Sequence, residues 1–182
     1  PLDIFKVKLL SPANNSTVGT STPQITFTAT DTNLDTVECR VDTGAWAPCT
    51  SPFTTGSLSD GSHTVSVRAT DTAGNVTTQS TTIVVDTTAP TVTITPGTTP
   101  TNSTSSQNIA FTATDNLALA SVQCKLGAAG TYANCSSPFA TSTLAAGTNT
   151  VYVQATDTAG NVTTQTTSIV VDQTAPNVTI TP

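Results

Sequence analysis

The sequence has no methionine, one histidine, one tryptophan and only five basic residues against eleven acidic ones, and charged residues make up 9% of it. Each shortage removes a class of function. With so few Lys and Arg and a formal net charge of −6, no basic patch can form, which excludes nucleic acid and anionic membrane surfaces as partners. No apolar run approaches the ~18 residues of a spanning helix, so direct membrane insertion is not expected. Pro1 opens no charged-then-apolar signal segment, and the chain reads as an exported piece of a longer protein. His63 stands alone, without an acid and nucleophile at a recognisable spacing, and no zinc motif, phosphate loop or catalytic triad is present. No enzyme is expected from this stretch. A 3.6-residue apolar period is also missing, which argues against helices.

What the sequence has instead is a repeat. Ala69-Thr70-Asp71-Thr72-Ala73-Gly74-Asn75-Val76-Thr77-Thr78-Gln79 returns unchanged as Ala155 through Gln165, an offset of 86 (155 minus 69). The same offset carries Cys49 to Cys135, Pro52 to Pro138 and Ala89-Pro90 to Ala175-Pro176; Cys39 meets Cys124 at 85. A period this long exceeds a solenoid turn, so each unit should be a small domain with its own core. The expected organisation is domain 1 over 1–88, domain 2 over 89–174, and the first strand of a following repeat over 175–182, because Thr174 through Pro182 copies the opening of the second unit.

Each unit holds two cysteines, Cys39 with Cys49 and Cys124 with Cys135. An even count at matching places reads as one disulfide per domain, worth about 2–3 kcal/mol for so short a loop, and implies an oxidising compartment, secreted or at a cell surface. Free core thiols or a metal clip are the alternative. No CxxC pair supports the clip, and the position equivalent to His63 is Asn149.

Alternation places the strands. Residues 7–12 read as a first strand ended by Pro12. Ile25-Thr-Phe27-Thr-Ala29-Thr-Asp31 puts apolar side chains on one face and threonines on the other, and Ile109, Phe111 and Ala113 repeat it. Val37 through Val41, a turn at Asp42-Thr43-Gly44, Ala45 through Cys49 and Pro52 through Thr55 follow as short strands. His63 through Asp71 alternates with Val65, Val67 and Ala69 inward. The last strand, from about Val76 to Asp86, has conflicting parity, since both Val76 and Val85 want burial, and predicts a bulge. Seven short strands with turns near every ten residues predict two tandem seven-stranded antiparallel β-sandwiches of immunoglobulin type.

The cysteine hairpin of Val37-Glu-Cys39-Arg-Val41-Asp42 with Ala45-Trp46-Ala47-Pro48-Cys49, then Pro52-Phe53, Asp60-Gly61-Ser-His63 and the Asp-Thr-Ala-Gly-Asn turn, resembles the bacterial immunoglobulin-like repeats of large secreted or surface adhesins. The resemblance covers nearly all of both units. It implies spacer or stalk repeats of a bacterial surface adhesin or similar fibrous protein, whose partners are the neighbouring repeats of the same chain. Two other functions stay open: an adhesion module binding a surface glycan or protein through Trp46 and Tyr132, or a self-associating filament subunit that donates strand 177–181 to a neighbour.

Strand direction brings the ends of the second and sixth strands to one pole, where the preceding repeat delivers its last strand. Asp86, Asp115 and Asp157, with Asn116 or Asn161 nearby, are therefore candidate Ca²⁺ ligands at a domain junction, since carboxylates and carbonyls form a hard oxygen cage. Asp31 and Asp71, with Asp3, form the equivalent set in the first unit. Calcium-stiffened junctions in adhesins of similar build are what the resemblance implies. The alternative is a turn alone: an Asp that opens a tight turn accepts backbone N–H bonds, and Gly and Asn fill its special φ positions. Trp46 and Tyr132 are likewise split between a sugar-stacking role and packing beside the disulfide.

Overall fold

Strands form where apolar and threonine side chains alternate, as a computed structural model describing residues 6–97 and 99–180 shows. The chain divides into two units, Pro1–Thr88 and Ala89–Pro182. Asp3 and residues 181–182 lie outside the described residues. No helix occurs among those described, so none is long and apolar enough to cross a membrane.

In the first unit the strands are β1 (Lys6–Ser11), β2 (Ser16–Val18), β3 (Gln24–Thr30), β4 (Leu34–Val41), β5 (Ala47–Pro48), β6 (Phe53–Thr54), β7 (Gly61–Asp71) and β8 (Val76–Val85). They build two sheets, β1-β3-β6 and β2-β8-β7-β4-β5. The inward residues of β3, Ile25 and Phe27, meet those of β7 and β8, among which Val65, Val67, Ala69, Ile83 and Val85 are all fully buried. Each such valine, isoleucine or phenylalanine side chain contributes about 1.5–3 kcal/mol of burial. The core lies in two patches, one around Phe27 and Val67 and one around Ile25 and Ile83, with Leu9 and Phe53 packed against both.

Two features differ from the sequence expectation. The unit has an eighth strand, β2, which runs parallel to β8 with Ser16 opposite Ile83. It forms because Asn14 and Asn15 latch the chain onto Thr82: the Thr82 N–H donates to Asn14 Oδ1 at 2.8 Å, and the Asn15 N–H donates to the Thr82 carbonyl at 2.7 Å. The second correction concerns β8, which has no bulge. Its ladder with β7 runs unbroken from Thr70–Val76 to Gly61–Val85. Val76 and Val85 are an odd number apart and so face opposite ways; Val85 is buried and Val76 is 55% exposed. The bulges lie instead between Leu9 and Ser11 and between Leu34 and Thr36.

The second unit has β9 (Thr91–Thr95), β10 (Asn108–Thr114), β11 (Leu119–Leu126), β12 (Ala133–Asn134), β13 (Phe139–Ala140), β14 (Gly147–Asp157) and β15 (Val162–Val171). Its sheets are β13-β10-β9 and β12-β11-β14-β15. The counterpart of β2 is a single parallel bridge, Thr101 to Val171. One continuous core joins Ile109 and Phe111 of one sheet to Val151, Val153, Ala155 and Ile169 of the other, which makes it a sandwich. Residues 172–180 pair with no strand, and Val178 and Ile180 stand exposed.

In each unit a two-residue strand folds back on the longer one and aligns the cysteines. Cys39 pairs with Ala47 across β4 and β5, and Cys39 bonds Cys49 with Cα atoms 5.7 Å apart. Cys124 bonds Cys135 in the same way. No free cysteine remains among the described residues.

Candidate functional site

The repeated turn organises one carboxylate in each unit. After β7, Asp71 Oδ1 accepts the N–H groups of Ala73 and Asn75, both at 2.8 Å, and Oδ2 accepts the Asn75 amide at 2.7 Å. Gly74 takes φ +85°, a conformation that a side chain would disfavour. Asp157 repeats the pattern with Ala159 and Asn161, and Gly160 takes φ +91°. Hydrogen bonds from the Asn75 side chain and backbone hold the Asp71 carboxyl below the usual carboxylate range. For Asp157, burial pushes the carboxyl up, but the bonds from Asn161 and Ala159 prevail and leave it lowered. Both turns therefore hold an ionised carboxylate fixed by its own loop.

Within the second unit, β10 ends beside that turn. A carboxylate oxygen of Asp115 and one of Asp157 come within 4.8 Å of each other. Asp115 Oδ2 accepts the Leu117 N–H at 3.0 Å, while its Oδ1 is buried and accepts no hydrogen bond from the described residues. In the first unit, Asp31 and Asp71 belong to no group of three metal-binding side chains among the described residues. Asp86 follows β8, fully buried, with Oδ1 accepting the Thr88 N–H at 3.2 Å.

Three arrangements escaped the sequence reading. Asp60, read only as part of a turn, accepts bonds from the Thr87 N–H at 2.9 Å, the Thr87 hydroxyl and the Thr88 hydroxyl, both at 2.7 Å. It fastens the last residues of the unit to the start of β7. A usable signal was the change to Ala146 in the second copy. His63 also has an acid partner: Nδ1 lies 2.8 Å from Asp42 Oδ2, and Nε2 lies 2.9 Å from the Ser59 carbonyl. Two acceptors favour the doubly protonated ring. The Asp42 hydrogen bond raises the His63 pKa, and His63 in turn lowers that of Asp42.

Trp46, finally, stacks on cations. The guanidinium carbons of Arg40 and Arg68 lie 4.6 and 4.4 Å from its ring centroid. Arg68 also donates from Nη2 and Nε to Glu38 Oε2, at 2.6 and 3.1 Å. In the second unit, Lys125 Nζ lies 4.7 Å from the ring centroids of both Tyr132 and Tyr152 and donates to the Ala128 carbonyl at 2.9 Å. Trp46 and Tyr132 thus sit at the same place, each against a cation on the outer face of the larger sheet.

Comparison with known proteins agrees with this architecture. Residues 11–87 match the family model of a bacterial Ig-like domain, and residues 133–182 match that of the bacterial Ig-like domain of group 3. No curated protein matches the sequence. Among solved structures, the fibronectin(III)-like modules of Clostridium thermocellum CbhA share the fold, with a TM-score of 0.56 at 18% identity over 91% of this chain and 94% of theirs. A tetra-tandem repeat from the extending region of a large adhesion protein has a TM-score of 0.40 at 20% identity, over 92% of this chain. A 1.5-MDa bacterial ice-binding adhesin has a TM-score of 0.40 at 15% identity, also over 92%. The chain spans 48% and 65% of the latter two. Ig-like and fibronectin(III)-like domains are typically structural modules without catalytic groups, and disulfides in both units place the protein outside the cell or at its surface. With matches in both units, the chain belongs to the bacterial immunoglobulin-like domains, two of them in tandem.

Proposed function

We propose that these domains are non-catalytic spacer repeats of a bacterial surface adhesion protein. The observation that carries this reading is the recurrence at an offset of 86 of a whole closed unit, each with its own core, disulfide and Asp-anchored turn. Length grows by adding such units, and no single unit needs a specialised site. Small-angle scattering with sedimentation velocity tests it. The expected particle is a monomer with a maximum dimension near two domains end to end. A compact or concentration-dependent particle would overturn the reading.

For the carboxylate pair we propose Ca²⁺, with Asp115 and Asp157 as ligands. The support is chemical: carboxyl oxygens, one of them, Asp115 Oδ1, buried without a hydrogen bond from the described residues, suit a hard cation. Calcium is expected to raise the unfolding temperature of the second domain, and Asp157→Asn to abolish that rise. Asp71→Asn tests the equivalent set proposed for the first domain, Asp31 and Asp71.

A further inference from the structure

Of the two arginines, Arg68 is neutralised by Glu38, whereas Arg40 makes no ion pair with any described residue, and its Nε is buried without a hydrogen-bond acceptor. The Arg40 guanidinium is nevertheless held in place, stacked on Trp46. A fixed, unneutralised guanidinium beside an indole on the outer face of a sheet is unusual in a chain of net charge −6. It offers a planar fork of donors for a carboxylate beside an indole whose ring also carries the Arg68 guanidinium.

We propose that the Arg40–Trp46 face of the first domain binds glycans containing hexuronic acids, with the sugar carboxylate on Arg40 and the pyranose ring against Trp46. The topology argues for a sugar over a peptide strand. β4 and β7 are inner strands, and the edge beside Trp46 is β5, only Ala47 and Pro48, whose proline nitrogen has no proton to donate, so it offers little ladder for strand addition. Recognition must come from side chains. Charge complementarity makes the choice of an acidic over a neutral sugar, since Arg40 is left without an anion. The second domain repeats the cation-on-aromatic arrangement with its chemistry changed: Lys125 spends a donor on the Ala128 carbonyl and lacks the planar fork. The proposal does not depend on the spacer reading.

Trp46 is the only tryptophan in the chain, so its fluorescence reads the site directly. The whole chain would be titrated in chelator, to exclude calcium bridging, with oligogalacturonate and separately with hyaluronan oligosaccharides, followed by fluorescence and calorimetry. Saturable binding to at least one of them is expected, lost when its carboxylates are methyl-esterified. Arg40→Gln should weaken it about tenfold or more, as expected for a charge-assisted hydrogen bond, and Arg40→Lys should restore only part. Both variants keep the Arg68–Glu38 pair, and the unfolding midpoint read from Trp46 verifies the fold. Absence of saturation with both glycans, equal binding of the esters, unchanged affinity in Arg40→Gln, or equal binding of oligoglutamate would overturn the proposal.

Discussion

The buried side chains of the two domains are mostly the same, and the larger changes of chemistry fall on side chains that point out. Ile25, Phe27, Val67, Ala69 and Ile83 have identical counterparts in Ile109, Phe111, Val153, Ala155 and Ile169, all buried. On the outer face Ser66 becomes Tyr152, Arg68 becomes Gln154, and Trp46 becomes Tyr132. The loop between β4 and β7 shows how a divergence stays coherent. Asp42 adopts φ +51° and Gly127, its counterpart, φ +73°, so both copies need the left-handed region. In the first domain Asp42 accepts the Thr64 N–H at 2.8 Å and pairs with His63. In the second, Gly127 takes the conformation freely and Asn149 bonds the Ala145 backbone through both its side-chain oxygen and nitrogen. A charged clasp has been exchanged for a neutral one, with the residue after β4 and β11 left-handed in both copies. Inward differences exist as well: Leu9 becomes Ile94, Val41 becomes Leu126, and Leu144 is buried within a continuous core, whereas Leu58 is only partly buried beside one of two patches.

The single tryptophan lies in the first domain and both tyrosines in the second, so each domain reports its own unfolding. The largest effect should come from Ile25→Ala and Ile109→Ala, about 3 kcal/mol each, confined to the domain mutated. Unfolding of both domains together in either variant would break the comparison. Replacing Cys39 and Cys49 by Ser should cost the first domain about 2–3 kcal/mol, and the matching pair should cost the second a similar amount; denaturant midpoints by tryptophan and tyrosine emission would measure this. At the turn, Asp157→Ala should cost about 1–2 kcal/mol because it strands three donors, and Asp71→Ala should cost less, since Asp71 is more open to water.

The smallest effect is the most diagnostic. The His63 pKa is raised above 6.5, so the stability it lends is complete below that pH and is lost as pH rises through the raised value. The Asp42 pKa is lowered from 3.8, so its share is complete above that value and is lost as pH falls through the lowered one. The first domain should therefore weaken modestly from mildly acidic to alkaline pH while the second stays level. His63→Asn, which copies the second domain, should flatten the slope. Thermal melts across that range would detect it, and a slope unchanged by the substitution would remove the clasp from the account.

Strand positions were legible because inward–outward parity is written residue by residue, and the Asp71-to-Asn75 turn because all its partners lie within four positions. The bulge expected in β8 failed on the same rule, since hydrophobic character alone does not bury Val76 when its parity points to solvent. β2 was invisible: three residues show no period, and its support comes from Thr82, far along the chain. The same distance hid the pairing of His63 with Asp42, the fastening of Thr87 and Thr88 by Asp60, and the cations that flank Trp46. The sequence by itself determined the repeat, the strands and the turns, because those depend on neighbours within a few residues. Only the tertiary structure decided which outward side chains meet, because strands distant in sequence are brought side by side by the burial of their inner faces, and the outer faces meet as a consequence.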